Sequence, residues 1–432
     1  MNKSKKNIFL VFSVLILTVM ISIALWLLFF KKEITNINVK TLPENCKNYT
    51  IINTDKINTQ LSSYFFKNPS LVLQLFENTA SIQKEFDDVN FILNEPISIF
   101  WDEKKQITGA YFSVNQPNNI DVSNYDINEI TVDNNLMYIN NKKNTIYYRD
   151  NYNNQIRMFL SDDKINPKEI FENYISTSSF QDTSSYNKSA LKHFNESDNS
   201  IIFNIKNDIS SKMGTFNNYG TIDFNSKEIT IVIDGIYNDQ FIFNNKDSLI
   251  TINNTWGNFS GNLNEDIVTS LNKEKAAILE NWDGRLSIGL NSINNIADLM
   301  NISKIADLMN HFDLCVFIGN KNDTILENIN TDYGLFVPYK NKESGYGLGL
   351  KQTNIFKKEK PANFIGNIDF EKLFDLDING LSWTSIKTIL KRFNLKNIEM
   401  NCNSSQENQY KLNININSLD STKHILLSPF IY

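Results

Sequence analysis

The sequence predicts an α+β protein: an N-terminal transmembrane helix followed by a mainly antiparallel-sheet ectodomain with single packing helices. Three observations lead to this class. A long apolar run lies near the N-terminus, hairpin-length turns separate alternating segments further on, and isolated helical faces interrupt those segments. Hairpin-length turns outnumber helical crossovers, so the sheet is expected to be antiparallel.

Residues 8–30 form an unbroken run of 23 uncharged residues. A helix of that length would measure about 34 Å, which is enough to cross a hydrocarbon core of about 30 Å. The alternative is a cleaved secretory signal, whose apolar region is only about 7–15 residues long and ends in small residues. Here the run ends in Phe29 and Phe30 before Lys31. The sequence therefore predicts an uncleaved anchor after a short tail at residues 1–7.

The charges beside the anchor are nearly balanced, with Lys3, Lys5 and Lys6 before it and Lys31 and Lys32 after it. The positive-inside rule therefore gives no clear orientation. A seven-residue tail is too short to fold, so the working part follows the anchor. We expect a single-pass protein of the cell membrane, with a cytoplasmic N-terminus and an exported C-terminal domain, periplasmic or extracellular.

The first part of the ectodomain, residues 31–180, contains one strong helix pattern. Asn68 can cap a helix over residues 69–86, and Pro69 suits its first position. Strands are expected at residues 97–101 and around Tyr111 and Phe112. A Tyr-rich meander is expected over 130–160, and a second helix over 167–175, after which residues 176–185 are small and polar. This stretch is interpreted as a linker, or alternatively as an ordinary surface loop.

The second part, residues 181–432, shows clear hairpin patterns. Alternating apolar residues predict a hairpin over 222–233 and another over 241–252. A helical face at Ile386, Ile389, Leu390 and Phe393 comes next. Two strands on either side of a polar turn then follow, the first marked by Ile398, Met400 and Cys402 and the second by Leu412, Ile414 and Ile416.

A short repeat interrupts this pattern, since residues 296–301 recur as residues 305–310. A spacing of nine residues turns a straight helix by about two and a half turns, which places the copies on opposite sides. Either two short helices break near Ser303, or one copy lies exposed. A slipped duplication is the simplest explanation.

The composition argues against a nucleic-acid partner. The chain has 42 basic and 48 acidic side chains, a net charge of −6, and only four Arg. Proteins that bind nucleic acids need clustered basic side chains facing phosphates. The chain also contains 67 Asn, a bias that fits an AT-rich coding sequence.

The three cysteines do not form a disulfide framework or a CxxC motif. Cys315 lies in an apolar run and Cys402 continues a strand alternation, so both are interpreted as buried thiols. Cys46 lies in a polar stretch soon after the predicted anchor.

The segment from Asp375 to Gly380 matches the first six positions of a calcium-binding loop, D-x-D-x-N-G. The closing bidentate acid is missing, because Ile386 occupies the twelfth position. The segment is better explained as a strand over residues 374–378 followed by a hairpin turn at Asn379 and Gly380. No metal site is therefore predicted.

Other candidates for chemistry are weaker. Glycines alternate over residues 345–349, a spacing that fits a glycine-lined strand and no phosphate loop. His193, His311 and His424 are far apart in the sequence. Two carboxylate pairs, Asp87/Asp88 and Asp162/Asp163, are interpreted as solvated surface. We therefore assign no catalytic residue, no cofactor and no metal ligand from the sequence.

Residues 42–57 contain a Pro, a polar stretch with Cys46 and an apolar pair at Ile51 and Ile52. This stretch and the residues after it resemble the opening of uncharacterised single-pass envelope proteins of Bacteroidota-like, AT-rich bacteria. The likeness covers about the first hundred residues. It implies an envelope location and carries no activity, ligand or site residue.

Together these observations favour a membrane-anchored, non-catalytic envelope protein that acts as a binding or scaffolding module. Its expected partners are the lipid bilayer, through residues 8–30, and an envelope protein or glycan. A carrier of a lipid or other hydrophobic ligand is the alternative, because a helix on a curved sheet can enclose an apolar cavity. A carboxylate-based hydrolase is the third hypothesis.

Overall fold

The computed structural model describes about half of the chain. The described residues are 48–67, 97–102, 105–113, 128–141, 144–150, 155–161, 166–176, 200–207, 216–225, 227–237, 248–253, 255–264, 282–293, 312–320, 337–341, 345–349, 356–376, 381–406, 409–420 and 425. The predicted anchor at 8–30, the predicted helix at 69–86 and the repeat at 296–310 lie outside them. In the part that is described, no helix is both long and apolar enough to span a membrane.

The chain divides into two compact units, Met1–Ser200 and Ile201–Tyr432. The boundary predicted from the sequence falls at residues 180/181. Residues 177–199 lie outside the described part of the chain. That boundary therefore stays a prediction, and the two units are described separately.

Unit 1 contains seven described strands and two helical segments. The strands are β1 (Asn48–Ile52), β2 (Ile97–Asp102), β3 (Ile107–Ser113), β4 (Asn128–Val132), β5 (Asn135–Asn140), β6 (Thr145–Asp150) and β7 (Gln155–Ser161). They pair antiparallel in the order β1-β2-β3-β7-β6-β5-β4. This confirms the predicted strands near residues 97–112 and the predicted meander.

Helix α1 (Thr54–Lys67) follows β1 directly. Helix α2 (Pro167–Ile170) begins after Asn166, whose side chain accepts a hydrogen bond from the N–H of Lys168, and it continues as a π-helical stretch, Phe171–Ile175. The capping side chain and the proline at the first turn explain why a helix starts here, as the sequence predicts.

The core of unit 1 is an aromatic cluster formed by Phe100, Tyr111, Phe159 and Tyr174. Phe100 and Tyr111 meet edge to face with their ring centroids 5.3 Å apart. The Tyr174 ring lies 5.8 Å from that of Phe100, and its hydroxyl donates to Asp102 Oδ2 at 2.9 Å. The π-helical stretch is thereby fixed to the sheet.

Unit 2 contains thirteen described strands. They are β8 (Ile201–Asn207), β9 (Phe216–Phe224), β10 (Glu228–Tyr237), β11 (Ser248–Ile252), β12 (Gly257–Asn262), β13 (Trp282–Ile293), β14 (Phe312–Asn320), β15 (Val337–Asn341), β16 (Gly345–Gly349), β17 (Phe356–Pro361), β18 (Phe364–Asp369), β19 (Leu395–Gln406) and β20 (Gln409–Ser418).

Eleven of these strands form one antiparallel sheet in the order β8-β9-β10-β20-β19-β18-β12-β13-β14-β16-β15. The predicted hairpins over 222–233 and 398–416 are confirmed as β9–β10 and β19–β20. The predicted glycine-lined strand is β16. For the hairpin over 241–252, the first strand lies outside the described residues, and the second, β11, pairs with β17.

The β11–β17 pair forms a second layer over β12–β14. The hydroxyls of Ser260 and Ser287 both donate to the carbonyl oxygen of Ile250, which joins the two layers. Cys315 and Phe317 pack with the apolar side chains of β11. Small hydroxyl residues allow the layers to approach closely while their polar atoms stay hydrogen-bonded.

Two helices, α3 (Phe370–Phe374) and α4 (Leu381–Arg392), lie between β18 and β19 in sequence. Phe370, Leu373 and Phe374 form a buried cluster, against which Ile368 and Ile398 of the sheet pack. Helix α4 confirms that a helix lies here, but Phe393 of the predicted face follows the end of this helix and is 43% exposed. The strand predicted over 374–378 is wrong at its start, because Phe374 ends helix α3.

The predicted α+β class is also wrong. Strands make up 70% and helices 16% of the described residues, so the protein is mainly antiparallel sheet. Several stretches without a clear sequence pattern, such as β8, β13 and β17, form strands because neighbouring strands supply their hydrogen-bond partners. Tertiary pairing therefore overrides the weak local preference of these residues. The predicted membrane helix lies outside the described residues.

Candidate binding surface

Most of the sequence-predicted chemical groups lie outside the described residues. This applies to His193, His311 and His424, to the pairs Asp87/Asp88 and Asp162/Asp163, and to Cys46. Asp375 and Leu376 are described, whereas residues 377–380 of the calcium-like segment are not. Within the described part of the chain, no group of three or more His, Cys, Asp or Glu side chains could hold a metal ion.

An extended set of polar side chains in unit 2 follows from strand alternation. In β19 and β20, Asn alternates with Ile, Leu, Met or Cys. Successive side chains of a strand point to opposite faces, so this alternation sorts amides to one face and apolar groups to the other. Residues directly opposite each other in paired strands share a face, and the register therefore shows which side chains are neighbours.

One face of β19, β20 and β10 is lined with amides, and we name it the amide face. It comprises Asn397, Glu399, Asn401 and Asn403 of β19, Lys411, Asn413, Asn415 and Asn417 of β20, and Glu228, Thr230, Val232 and Asp234 of β10. With ordinary sheet spacings it measures about 10 Å across the strands and about 20 Å along them.

The rows of the amide face are defined by the register. Asn401 lies opposite Asn413, which lies opposite Val232. In the end row, Lys411 lies opposite Asp234. Opposite charges on facing residues stabilise a sheet, and amides can donate and accept at once. The face therefore carries charged groups at both ends, Glu228 at one end and Lys411 with Asp234 at the other. In its two inner rows, Glu399 is the one charged side chain.

Several amides on this face are oriented by their neighbours. Asn403 Nδ2 donates to Asn401 Oδ1 at 2.7 Å, and Asn397 Nδ2 donates to Glu399 Oε1 at 2.8 Å. Asn397 Oδ1 is buried and accepts no hydrogen bond from the residues that the structure describes. Asn367 of β18 lies opposite Glu399 of β19. Its Oδ1 atom is also buried and accepts no hydrogen bond from the described residues. Buried acceptors without a donor cost free energy.

The opposite face of the same strands is apolar. Ile231 of β10 lies opposite Ile414 of β20, and Ile414 lies opposite Met400 of β19. These side chains are half-buried. Helix α3 packs against one end of this face, at Ile368 and Ile398.

Unit 1 holds a buried ion pair between Arg157 and Asp150. Arg157 Nη2 contacts Asp150 Oδ2 at 2.5 Å, and the guanidinium lies 4.9 Å from the centre of the Tyr111 ring. Burial, with the nearby Asp150 carboxylate, raises the pKa of Tyr148. Arg157 is only 4% exposed, so this ion pair is enclosed in the core and joins β6 to β7.

A second arginine forms a similar local pair in unit 2. Arg285 Nε and Nη2 both donate to Asp283 Oδ2, at 2.9 and 2.6 Å, two residues apart on β13. Trp282 Nε1 donates to the carbonyl oxygen of Arg285 at 2.8 Å. This two-bond geometry gives each charge its partner and fixes the start of β13.

Comparison with known proteins does not identify a family. No family model matches the sequence, and no curated protein is similar to it. Two solved structures of TP0453, crystal forms I and III, are weakly similar in fold. The first has 12% identity and a TM-score of 0.31, covering 49% of this chain and 82% of that one. The second has 13% identity and a TM-score of 0.31, covering 47% and 81%. Neither likeness assigns a function.

The amide face is the feature that sequence reasoning did not single out. Its signal is present, because the segment from Leu412 to Asn417 reads Leu-Asn-Ile-Asn-Ile-Asn. That pattern predicts a two-faced strand. It does not reveal that β10, nearly two hundred residues earlier, lies beside it.

Proposed function

We propose that this chain is a membrane-anchored, non-catalytic envelope protein whose exported part binds or scaffolds another envelope component. The observation that carries the proposal is the amide face of β10, β19 and β20. Asn is normally depleted from strands, yet here Asn occupies three of the four amide-face positions on each of the adjacent strands β19 and β20. The apolar run at residues 8–30 supports the anchor.

A surface rich in amides suits the binding of a protein backbone or a glycan. Amides offer donors and acceptors together and therefore match both peptide groups and hydroxyl groups. They also lose less hydration free energy on burial than charged side chains do.

The test is photo-cross-linking in cells, with a photoreactive residue at position 413 in the full-length chain. The control position is Glu172, which is 56% exposed on the π-helical stretch of unit 1 and lies outside the amide face. We expect a specific adduct with an envelope protein or glycan from position 413 and none from position 172. Equal adducts from both positions, or none from position 413, would contradict the proposal.

A double variant then measures the contribution of the central row. Asn401→Ala with Asn413→Ala removes two facing amides while leaving the backbone pairing intact. A hydrogen bond contributes about 1 kcal/mol, so we expect affinity for the cross-linked partner to fall on the order of tenfold or more. If the double variant has the same free energy of unfolding as the parent chain and binds the partner with unchanged affinity, the amide face is not the binding surface.

A second candidate function is the carriage of a hydrophobic ligand. The half-buried apolar face that includes Ile231, Ile414 and Met400 favours it. Native mass spectrometry of the purified chain distinguishes the two functions. A lipid that co-purifies in stoichiometric amount, and is lost on Ile414→Asn, would favour the carrier.

A further inference from the structure

Strand β4 lies at one end of the strand order that the described strands of unit 1 form. Among the strands that the structure describes, β4 pairs with β5 alone. Residues 128–131 are all exposed, and the Ile130 side chain is 37% exposed. An open edge offers backbone N–H and C=O groups to a further strand.

The turn between β4 and β5 shows which backbone groups face outward. Asp133 and Asn134 have φ angles of 43° and 63°, as a two-residue type I′ hairpin turn requires. The flanking residues Val132 and Asn135 then exchange both ladder hydrogen bonds, and Ile130 and Met137 form the next such pair. The N–H and C=O groups of Glu129 and Thr131 therefore point away from β5.

This edge lacks two of the features that usually prevent pairing. Natural edge strands are protected by Pro, by charged side chains and above all Lys, by bulges or by short length. Strand β15, at the end of the described strand order of unit 2, contains both Pro338 and Lys340. Strand β4 reads Asn-Glu-Ile-Thr-Val, so it is short and carries the charged Glu129 but contains neither Pro nor Lys. Strand β4 is therefore the less protected of these two edge strands.

We propose that β4 pairs antiparallel with β4 of a second copy of this chain, about a two-fold axis at Ile130. In this register Glu129 faces Thr131 of the second copy, and the outward groups of both residues meet. Two hydrogen-bonded pairs form, with about four hydrogen bonds in total. Ile130 packs against Ile130 of the second copy, which covers its exposed side chain.

Other registers are less favourable. Moving the axis to Glu129 places two carboxylates directly opposite each other, which destabilises a sheet. Moving it to Thr131 leaves fewer residues of each five-residue strand paired. The two-fold pairing at Ile130 is self-complementary, as a symmetric dimer requires. It is independent of the amide face and of its partner.

Cysteine cross-linking of the full-length chain tests the register. Cys46→Ser provides the background, because Cys315 and Cys402 are buried. At the two-fold axis, Ile130→Cys places two thiols on Cα atoms about 4.5 Å apart, within disulfide range. The control is Thr131→Cys, whose Cα atoms would be about 8 Å apart, beyond the limit of about 7 Å.

We expect mild oxidation to give a covalent dimer with Ile130→Cys, in at least about five times the yield from Thr131→Cys. Adding Thr131→Pro removes an outward N–H and keeps the ladder to β5, so it should lower the Ile130→Cys yield to that of the control. Equal yields from both cysteines, or no effect of Thr131→Pro in a variant with unchanged thermal unfolding, would overturn the proposal. Cross-linking to a different protein alone would also overturn it.

Discussion

Tyr410 lies directly opposite Gly235, and its ring occupies the space that the Cβ atom of any other residue at position 235 would need. A Cβ atom on Gly235 would lie 2.1 Å from Tyr410 Cε1. The ring crosses β10, and its hydroxyl reaches Asn218 of β9. Phe203 covers Gly220, and Phe100 covers Gly109, in the same way. A bare glycine thus lets an aromatic ring of the next strand lie flat on the sheet.

The first prediction concerns the Gly235–Tyr410 pair. Gly235→Ala should destabilise the fold by about 1–3 kcal/mol, because the added methyl group overlaps the Tyr410 ring. In a Tyr410→Ala background the same substitution should cost little, so the two changes are coupled. Urea unfolding of all four proteins measures this coupling.

A matched control for this cycle is Gly366→Ala. Its added Cβ would meet the flexible end of Met400 at 3.0 Å and the Phe259 ring at 3.1 Å, both much longer than the 2.1 Å contact at Gly235. We expect a smaller loss of stability there. Additive effects of Gly235→Ala and Tyr410→Ala would contradict the steric interpretation.

The second prediction is a loss of stability at alkaline pH through Tyr410. Burial, followed by the nearby Cys402 thiol, raises the pKa of Tyr410 to about 12. In the unfolded chain this phenol ionises near pH 10. Between these values the unfolded state has released the proton and the folded state still holds it, so stability falls as pH rises.

Tyr410→Phe tests this assignment. The variant should lose less stability than the parent chain between pH 10 and pH 12, because it has no phenol to ionise. Urea midpoints at each pH value give the comparison. Parallel pH profiles for the two proteins would show that Tyr410 does not contribute.

The hairpin β19–β20 shows how far the sequence alone leads. The alternation at Ile398, Met400 and Cys402 correctly predicts a two-faced strand, and the polar turn predicts its partner β20. The third strand of the amide face, β10, joins the face by pairing with β20, and Glu228 there lies opposite Asn417. Local pattern carries no information about pairing over such a distance. The amide face therefore could not be assembled from the sequence.

Helix α3 shows where local reasoning fails. Phe374, Leu376 and Ile378 alternate, and this alternation predicts a strand. The competing pattern of Phe370, Leu373 and Phe374 places three apolar residues on one helical face. Asp369 caps this helix, since its side chain accepts from the N–H of Lys372 at 3.1 Å. The cap and the buried cluster favour the helix over the strand.

The third prediction concerns the buried pair of Arg157 and Asp150. Asp150→Ala should destabilise the fold by roughly 3–5 kcal/mol, because it leaves a buried guanidinium without its carboxylate. Denaturant unfolding near neutral pH measures the loss. The double variant Asp150→Leu with Arg157→Met should recover most of it, because neither charge remains buried.

The control is the exposed ion pair of Lys168 and Glu172, whose side chains are 71% and 56% exposed. Solvent screens this pair, so Glu172→Ala should cost less than about 0.5 kcal/mol. If Asp150→Ala lowered the free energy of unfolding as little as Glu172→Ala does, the ion pair of Arg157 and Asp150 would not be isolated from water.

The fourth prediction concerns thiol reactivity. Cys315 and Cys402 are buried and form no disulfide, and burial raises the pKa of Cys402 to about 12. The thiolate is the reactive form, so Cys402 should react slowly with a thiol reagent at pH 8 until the protein unfolds. Peptide mapping after native labelling should show Cys46 modified first, because its sequence surroundings are polar. Rapid native labelling of Cys402 would contradict this ordering.

The fifth prediction tests the proposed anchor and its orientation. If residues 8–30 cross the membrane and the remainder is exported, protease added to intact spheroplasts should digest the region after the anchor and leave cytoplasmic marker proteins uncut. Because long domains cross the membrane largely regardless of flanking charge, the lysines on both sides of the run do not oppose this orientation. A matched sample lysed with detergent shows that the cytoplasmic markers are themselves cleavable. Full protection of the C-terminal domain in intact spheroplasts, with cleavage after lysis, would place that domain in the cytoplasm. The amide face would then have no access to an exported envelope partner.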